Sequence, residues 1–381
     1  VLFHLQRFIA VITMICCALF PNHAVLAFEP PQSEQELVIY KFLHQLFEAR
    51  SQFLLSKDEY SLTPYYLPSE KLSMYSLKQE QIRKQYLNAW ASHRKLQFNR
   101  IDSQIRIQRM KIDGDRARIA LSQSMKLEYA YTDNVLFNQA FGVGTRHALL
   151  LINKNGQWYV QKEWYSDPLN ENPELIPKAD KSFPNPLIHN QAEDSNTNKA
   201  ITSYHRERAV AYANKYAGAA WGAGNSNRYN NKYRDYTSLG GDCTNFASQV
   251  IGDPIEGGGL KMTDSWRYWL KAGGSHTWVQ TDRFSEFLQR SGYGRIVAQG
   301  TFEDITRPSE KYPYGAIGRI KPGDLIAYML HDDDVDHFGI LVGFDESGYP
   351  LVNSHTADRN KVPFDLGWDQ NTRYQLIHIR D

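Results

Sequence analysis

The run Gly240-Gly241-Asp242-Cys243-Thr244-Asn245-Phe246 sets one cysteine between a turn and an apolar-periodic stretch that continues through Ala247 and Val250. Cysteine does its chemistry as the thiolate, and a free thiol with a pKa of about 8.5 is mostly protonated at neutral pH. A helix capped by Asp242 would carry Cys243 in its first turn. There the helix dipole favours the anion, and a backbone N–H, that of Cys243 itself, points where an oxyanion would form. The Asp242 charge opposes this unless capping engages it. A cysteine nucleophile needs a base, and the base needs an orienting partner. His337 opens the apolar run HFGILVG, and the following run PLVNSHT carries Asn353 and His355 at equal parity, hence on one face of a strand. Either is a candidate to orient His337, with strand position favouring Asn353; His355 is otherwise a substrate-contact or loop residue. Tyr236, in the polar loop upstream, is a candidate second oxyanion donor.

The cysteine count sharpens the expectation. Residues 1–27 combine Arg7, an apolar run from Phe8 to Phe20, Pro21 and a small-residue site ending at Ala27. This pattern is expected of a cleaved secretory signal peptide, and the run is short for a bilayer span, which takes about 20 residues. Cys16 and Cys17 would leave with it, so the exported protein would keep Cys243 alone and form no internal disulfide. A lone thiol in an oxidising compartment points to reactivity or to an intermolecular bridge; a buried cysteine acting as a small hydrophobe is the plainer alternative. The expected location is secreted or cell-wall associated, or periplasmic in a Gram-negative cell, with no stable membrane span after cleavage.

The elements that must position these residues fall into two parts. Over residues 28–165, apolar residues at helical spacing (Leu37, Tyr40, Leu43, Leu46, Phe47) follow a Ser33/Glu36 capping pair, and a second helix is expected over 78–92. The period then changes to two, with hairpin turns at Asp113-Gly114 and Asn155-Gly156. Helices followed by an antiparallel meander indicate an α+β domain, whose element order resembles the cystatin-like and nuclear-transport-factor-like cones. Residues 166–198, rich in Pro, Asn and charge, read as a linker. Residues 199–381 read as a second α+β domain with an entry helix, the cysteine helix and a strand-rich end. Formal charges nearly balance at +1, which excludes the basic signature of nucleic-acid binding.

Three ordered blocks, GGDCTNFASQV, KPGDLIAY and HFGILVGFDESGYPLVNSHT with VPFDLGW, resemble the putative amidase domain family of exported bacterial proteins. That family is similar to papain-like cysteine hydrolases of the NlpC and CHAP cell-wall endopeptidase kind. The resemblance covers about residues 199–381. It implies a papain-like fold in which a helix bearing Cys243 packs on a small antiparallel sheet bearing His337 and Asn353. It implies a cysteine amidase or peptidase that cleaves an amide, in cell-wall peptide of the peptidoglycan type, through a Cys243–His337–Asn353 triad and a thioester, without cofactor or metal. Three other readings stay open. One is an acyltransferase using the same triad. Another is a metal-dependent amidase using His331, Asp336, His337 and His355, although the acidic run at 331–337 fits a solvated loop better. The third is a wall-binding module without turnover.

Overall fold

The computed structural model describes residues 33–165, 169, 172–178, 203–330 and 334–381, and the side chains of all of these except 135–137. The expected signal peptide and most of the expected linker lie outside the described residues, as do His331, Asp332 and Asp333.

Two helices open the described chain, α1 (Glu34–Leu55) and α2 (Lys71–His93). Ser33 caps α1 by accepting the Glu36 N–H at 3.2 Å. Helix α2 starts seven residues before its expected position; its cap residue Glu70 makes no side-chain capping bond, so the sequence carries no start signal there. Four long antiparallel strands follow: β1 (Leu96–Asp113), β2 (Arg116–Tyr131), β3 (Asn134–Lys154) and β4 (Gln157–Tyr165). Asn155 and Gly156 both take positive φ, 54° and 86°, which the tight β3–β4 turn requires and which Asn and Gly tolerate. Alternate residues of these strands, among them Ile107, Ile119, Leu149 and Val160, bury against Ile39, Leu43 and Leu46 of α1.

The later part comprises α3 (Arg206–Lys215), α4 (Cys243–Gly252), β5 (Tyr268–Trp269), β6 (Gly273–Gly274), α5 (His276–Val279), α6 (Thr281–Arg290), β7 (Gly294–Thr301) and α7 (Phe302–Thr306). It ends in β8 (Leu325–Met329), β9 (His337–Phe344), β10 (Pro350–Ser354), β11 (Asp358–Pro363) and β12 (Arg373–Ile379). The chain is therefore α+β with helices and antiparallel strands. On one sheet face, Phe246, Ala247 and Val250 of α4 pack with Ala327, Phe338 and Ile340. On the other, Tyr328, Leu341, Val352, Phe364 and Trp368 form a separate core.

The two parts share one sheet, with strand order β1-β2-β3-β11-β10-β9-β8-β12-β7 and β4 paired to the side of β3. Strand β3 switches partner along its length: residues from His147 onward pair with β4, whereas Gly142, Val143 and Gly144 pair with Asn360, Arg359 and Asp358 of β11. The glycines matter at this junction, because a Cβ on Gly142 would lie 2.0 Å from the Trp221 carbonyl oxygen and one on Gly144 2.5 Å from the Ala219 carbonyl carbon. Buried polar contacts cross the same boundary. The Arg94 guanidinium pairs with Asp365, which also accepts from Trp90 Nε1 at 3.0 Å, and the Tyr129 and Tyr131 hydroxyls donate to Asp345 at 3.0 and 2.8 Å.

Candidate active site

Cys243 is the first residue of α4, as the turn-then-periodicity pattern predicts. The turn is made by Gly240 and Gly241, both at positive φ of 117° and 130°. Helical spacing then puts Cys243, Phe246, Ala247 and Val250 on the face that packs on the sheet. The thiol is buried, with 7 % of the residue exposed. It lies 3.8 Å from the Thr244 hydroxyl, and the main-chain N–H groups of Phe338 and Thr244 are near enough to favour its anion. Burial pushes the thiol above its ordinary value, and the Asp242 charge adds to the rise; the Phe338 and Thr244 donors oppose it without cancelling it. The resting site thus holds a neutral, buried thiol at the start of α4.

Asp242 stands at the cap position but makes no capping bond. Its Oδ1 accepts from the Tyr236 N–H and from Asn245 Nδ2, each at 2.8 Å, and its Oδ2 lies 2.6 Å from His355 Nδ1. The other nitrogen of His355 donates to the Tyr216 carbonyl at 2.6 Å, and the ring stacks on Phe246 with centroids 3.7 Å apart. A carbonyl only accepts, so Nε2 donates its proton there, and Nδ1 is engaged by Asp242. His355 therefore has no lone pair left for the thiol proton.

His337 differs in this respect. Its Nε2 is buried and has no hydrogen-bond partner among the described residues. Burial, aided by the positive charge of Arg359, lowers its pKa to about 3, so the ring is neutral at rest. It directly precedes Phe338, whose main-chain N–H favours the Cys243 anion. The ring itself lies beside Tyr328 and Trp368, with centroids 5.6 and 5.5 Å away, and no hydrogen bond joins it to Cys243 among the described residues.

Strand register explains the arrangement. His337 pairs with Tyr328, which belongs to the core opposite α4, whereas Asn353 pairs with Ile340, which belongs to the core beneath α4. Asn353 Nδ2 donates to Asn214 at 3.0 Å and to Asn360 at 3.3 Å, and its Oδ1 accepts from the Lys361 N–H at 2.6 Å. Its carboxamide ties β10 to β11 and α3 rather than to His337. Tyr236 is tied to the neighbouring hairpin, where its hydroxyl accepts from the Gly274 N–H at 3.0 Å. The structure thus brings Asp242, Cys243, His355 and Tyr236 together around the start of α4. The Asp242–His355 pair depends on tertiary contact alone, and its only sequence signal is the presence of both residue types in the matched blocks.

Two surface clefts, one lined by Asp282, Ser285 and Glu286 and one by Leu54, Ala91 and Phe98, do not border Cys243. Trp266 and Trp278 are fully buried, whereas Trp269 is 46 % exposed. No group of three or more His, Cys, Asp or Glu side chains suited to a metal occurs among the described residues. No helix among them is long and apolar enough to cross a membrane.

Comparison with known proteins places a family described as "Putative amidase domain" on residues 203–377, which supports an amide-hydrolase family for this part of the chain. No match was found among curated proteins. Solved structures with similarity include the intermembrane space region of the chloroplast protein ARC6, at 8 % identity, covering 36 % of this chain and 98 % of that one, with a TM-score of 0.25. A protein of unknown function from Mycobacterium tuberculosis matches at 13 % identity over 36 % of this chain and 77 % of that one, with a TM-score of 0.25. An NTF-2 like protein of unknown function from Shewanella oneidensis matches at 13 % identity over 34 % of this chain and 99 % of that one, with a TM-score of 0.21.

Proposed function

We propose that this chain is an exported cysteine amidase or peptidase in which Cys243 is the nucleophile and His337 the base. The observation that carries this reading is the setting of the thiol. It sits at a helix N-terminus, where the nearby N–H groups of Thr244 and Phe338 favour its anion, and Phe338 follows a histidine with an unoccupied ring nitrogen. The family match over 203–377 supplies the reaction class.

The chemistry balances without a cofactor. The Cys243 thiol gives its proton to His337 Nε2 as the sulfur attacks the amide carbonyl. The carbonyl oxygen gains charge, and N–H groups at the start of α4 stabilise it. The C–N bond breaks, His337 returns the proton to the departing amine, and a thioester to Cys243 remains. Water, deprotonated by the same imidazole, then releases the acid. With thiol and imidazole both neutral at rest, this is a general-base mechanism rather than attack by a preformed thiolate. Because the ring of His337 rests against Tyr328 and Trp368, it must turn round the start of β9 to reach the sulfur. Asn353 acts in this scheme by holding β10 against β11, and the Asp242–His355 pair fixes the start of α4. The substrate class in this reading is a peptide amide of the cell-wall type, following the resemblance of the three blocks to wall endopeptidases.

The test is amine release from a panel of peptide amides and soluble wall fragments by the full chain and by Cys243→Ala. The reading predicts turnover by the former and none by the latter with its fold intact. Turnover that survives Cys243→Ala refutes it. Transfer to added amine in place of water would assign an acyltransferase instead.

A further inference from the structure

The site does not end where the amidase match ends. Loop 216–223, which carries the Tyr216 carbonyl that accepts from His355, is clamped from the N-terminal part. Ser124 Oγ of β2 donates to the Ala219 carbonyl at 2.6 Å, and the backbone of Gly142 and Gly144 on β3 lies against Trp221 and Ala219. The side chain that reaches furthest is Arg146 of β3. It donates to the Tyr229 hydroxyl, and its guanidinium lies 3.4 Å from Asp358 Oδ2. Asp358 is fully buried; it accepts from the Tyr229 hydroxyl at 2.7–2.8 Å and from the Ala219 N–H at 2.8 Å. The Tyr229 ring then meets His355 edge-on, with centroids 4.3 Å apart.

A continuous set of contacts therefore runs from Arg146 through Asp358 and Tyr229 to both supports of His355: the ring wall on one side and the loop bearing its carbonyl acceptor on the other. His355 holds Asp242, and Asp242 begins the helix of Cys243. We propose that Arg146, which lies outside the matched domain, is a positioning residue of the cysteine site and acts through Asp358 and Tyr229 on the His355–Asp242 pair. This rests on the reading of Cys243 as the nucleophile. It also gives the N-terminal part a role: it completes the catalytic centre. Removing the guanidinium leaves Asp358 buried with a net charge and one donor fewer, and a buried carboxylate in that state draws its remaining donors toward itself. The Ala219 loop and the Tyr229 ring are those donors.

The experiment is proton NMR of the full chain, following the downfield imidazole N–H of the short His355–Asp242 hydrogen bond, identified by its loss in His355→Gln. The same samples are assayed for acetylation of Cys243 by p-nitrophenyl acetate. The wild-type chain should show the resonance. Arg146→Ala should lose it and acetylate about 10²-fold more slowly, the cost of misplacing a reacting group by about 1 Å. Arg146→Lys should restore the resonance in part. Tyr229→Phe, which keeps the ring and removes the hydroxyl, should weaken it, and decides the matter if Arg146→Ala does not fold. Tyr131→Phe, which breaks a contact between the same two parts far from His355, should change neither reading. An unchanged resonance in Arg146→Ala, its absence from the wild type, or equal losses in Tyr131→Phe overturn the proposal. A resonance that behaves as expected while Cys243 never acetylates refutes the nucleophile instead.

Discussion

His337 is buried as a neutral ring, and this makes it an acid-labile element of the fold as well as the proposed base. Its folded pKa of about 3 lies below the ordinary value of 6.5, so between those limits the unfolded chain binds a proton that the folded chain does not. Stability must then fall as pH falls, with a limiting slope of about 1.4 kcal/mol per pH unit for one proton. The contribution is fully present above pH 6.5. From there to pH 5 the loss is about 2 kcal/mol, a large part of the 5–15 kcal/mol expected of a domain of ordinary stability. His337→Gln keeps a polar side chain of similar reach but does not titrate. Urea unfolding of both chains at pH 7 and pH 5 isolates the term: the wild type should lose about 2 kcal/mol more than the variant over that interval. Equal losses would mean that the imidazole is solvated or charged in the folded state, and the argument for a neutral base would fall with it.

Other consequences concern the frame. Glu163, buried and paired with Arg50 and His147, has its pKa lowered to about 2 from 4.5: burial pushes it up, but the charges and hydrogen bonds of Arg50 and His147 together outweigh burial. Its contribution is present above pH 4.5 and lost as pH falls toward 2, so Glu163→Gln should cost about 3 kcal/mol at pH 7 in urea unfolding and almost nothing at pH 2. Arg94→Ala strips the buried Asp365 of its counter-charge and should cost about 3–5 kcal/mol, lowering the melting of both parts together because they share one sheet; a calorimetric scan in which only one part shifts would contradict this. Gly142→Ala places a methyl 2.0 Å from the Trp221 carbonyl and should destabilise the β3–β11 junction, read as faster amide exchange at 358–360, whereas Gly114→Ala at an open turn should leave that exchange unchanged.

What the sequence discloses follows the range of the interactions involved. The meander and its two turns are legible because alternation and Asp-Gly and Asn-Gly pairs are local signals. The cysteine helix is legible for the same reason: glycines, a polar start and an apolar period stand together. Strand β11 is not, because its first residues, Asp358, Arg359 and Asn360, read as a loop. They are buried in the folded chain, and groups on other elements, such as Tyr229, Arg146 and Trp221, satisfy Asp358 and Asn360. Without β11 the junction of the two parts stays hidden, and with it the reach of Arg146 toward the site. The sequence reads Asn353 and His355 as one face of a single strand, but β10 ends at Ser354 and His355 falls in the turn just after it. Whether either faces His337 depends on the register between β8, β9 and β10, which includes an irregularity between Leu351 and Val352 and which no local pattern encodes.

The most direct measurement is mass spectrometry of the full chain after brief exposure to p-nitrophenyl acetate at pH 7, with wild type, Cys243→Ala and His337→Ala side by side. The account predicts an acetyl group on Cys243 in the wild type, none at that position in Cys243→Ala, and formation slowed by about 10²–10⁴-fold in His337→Ala, the usual contribution of a positioned base. Acetylation of Cys243 at the same rate without His337, or no adduct on Cys243 at all, would contradict it.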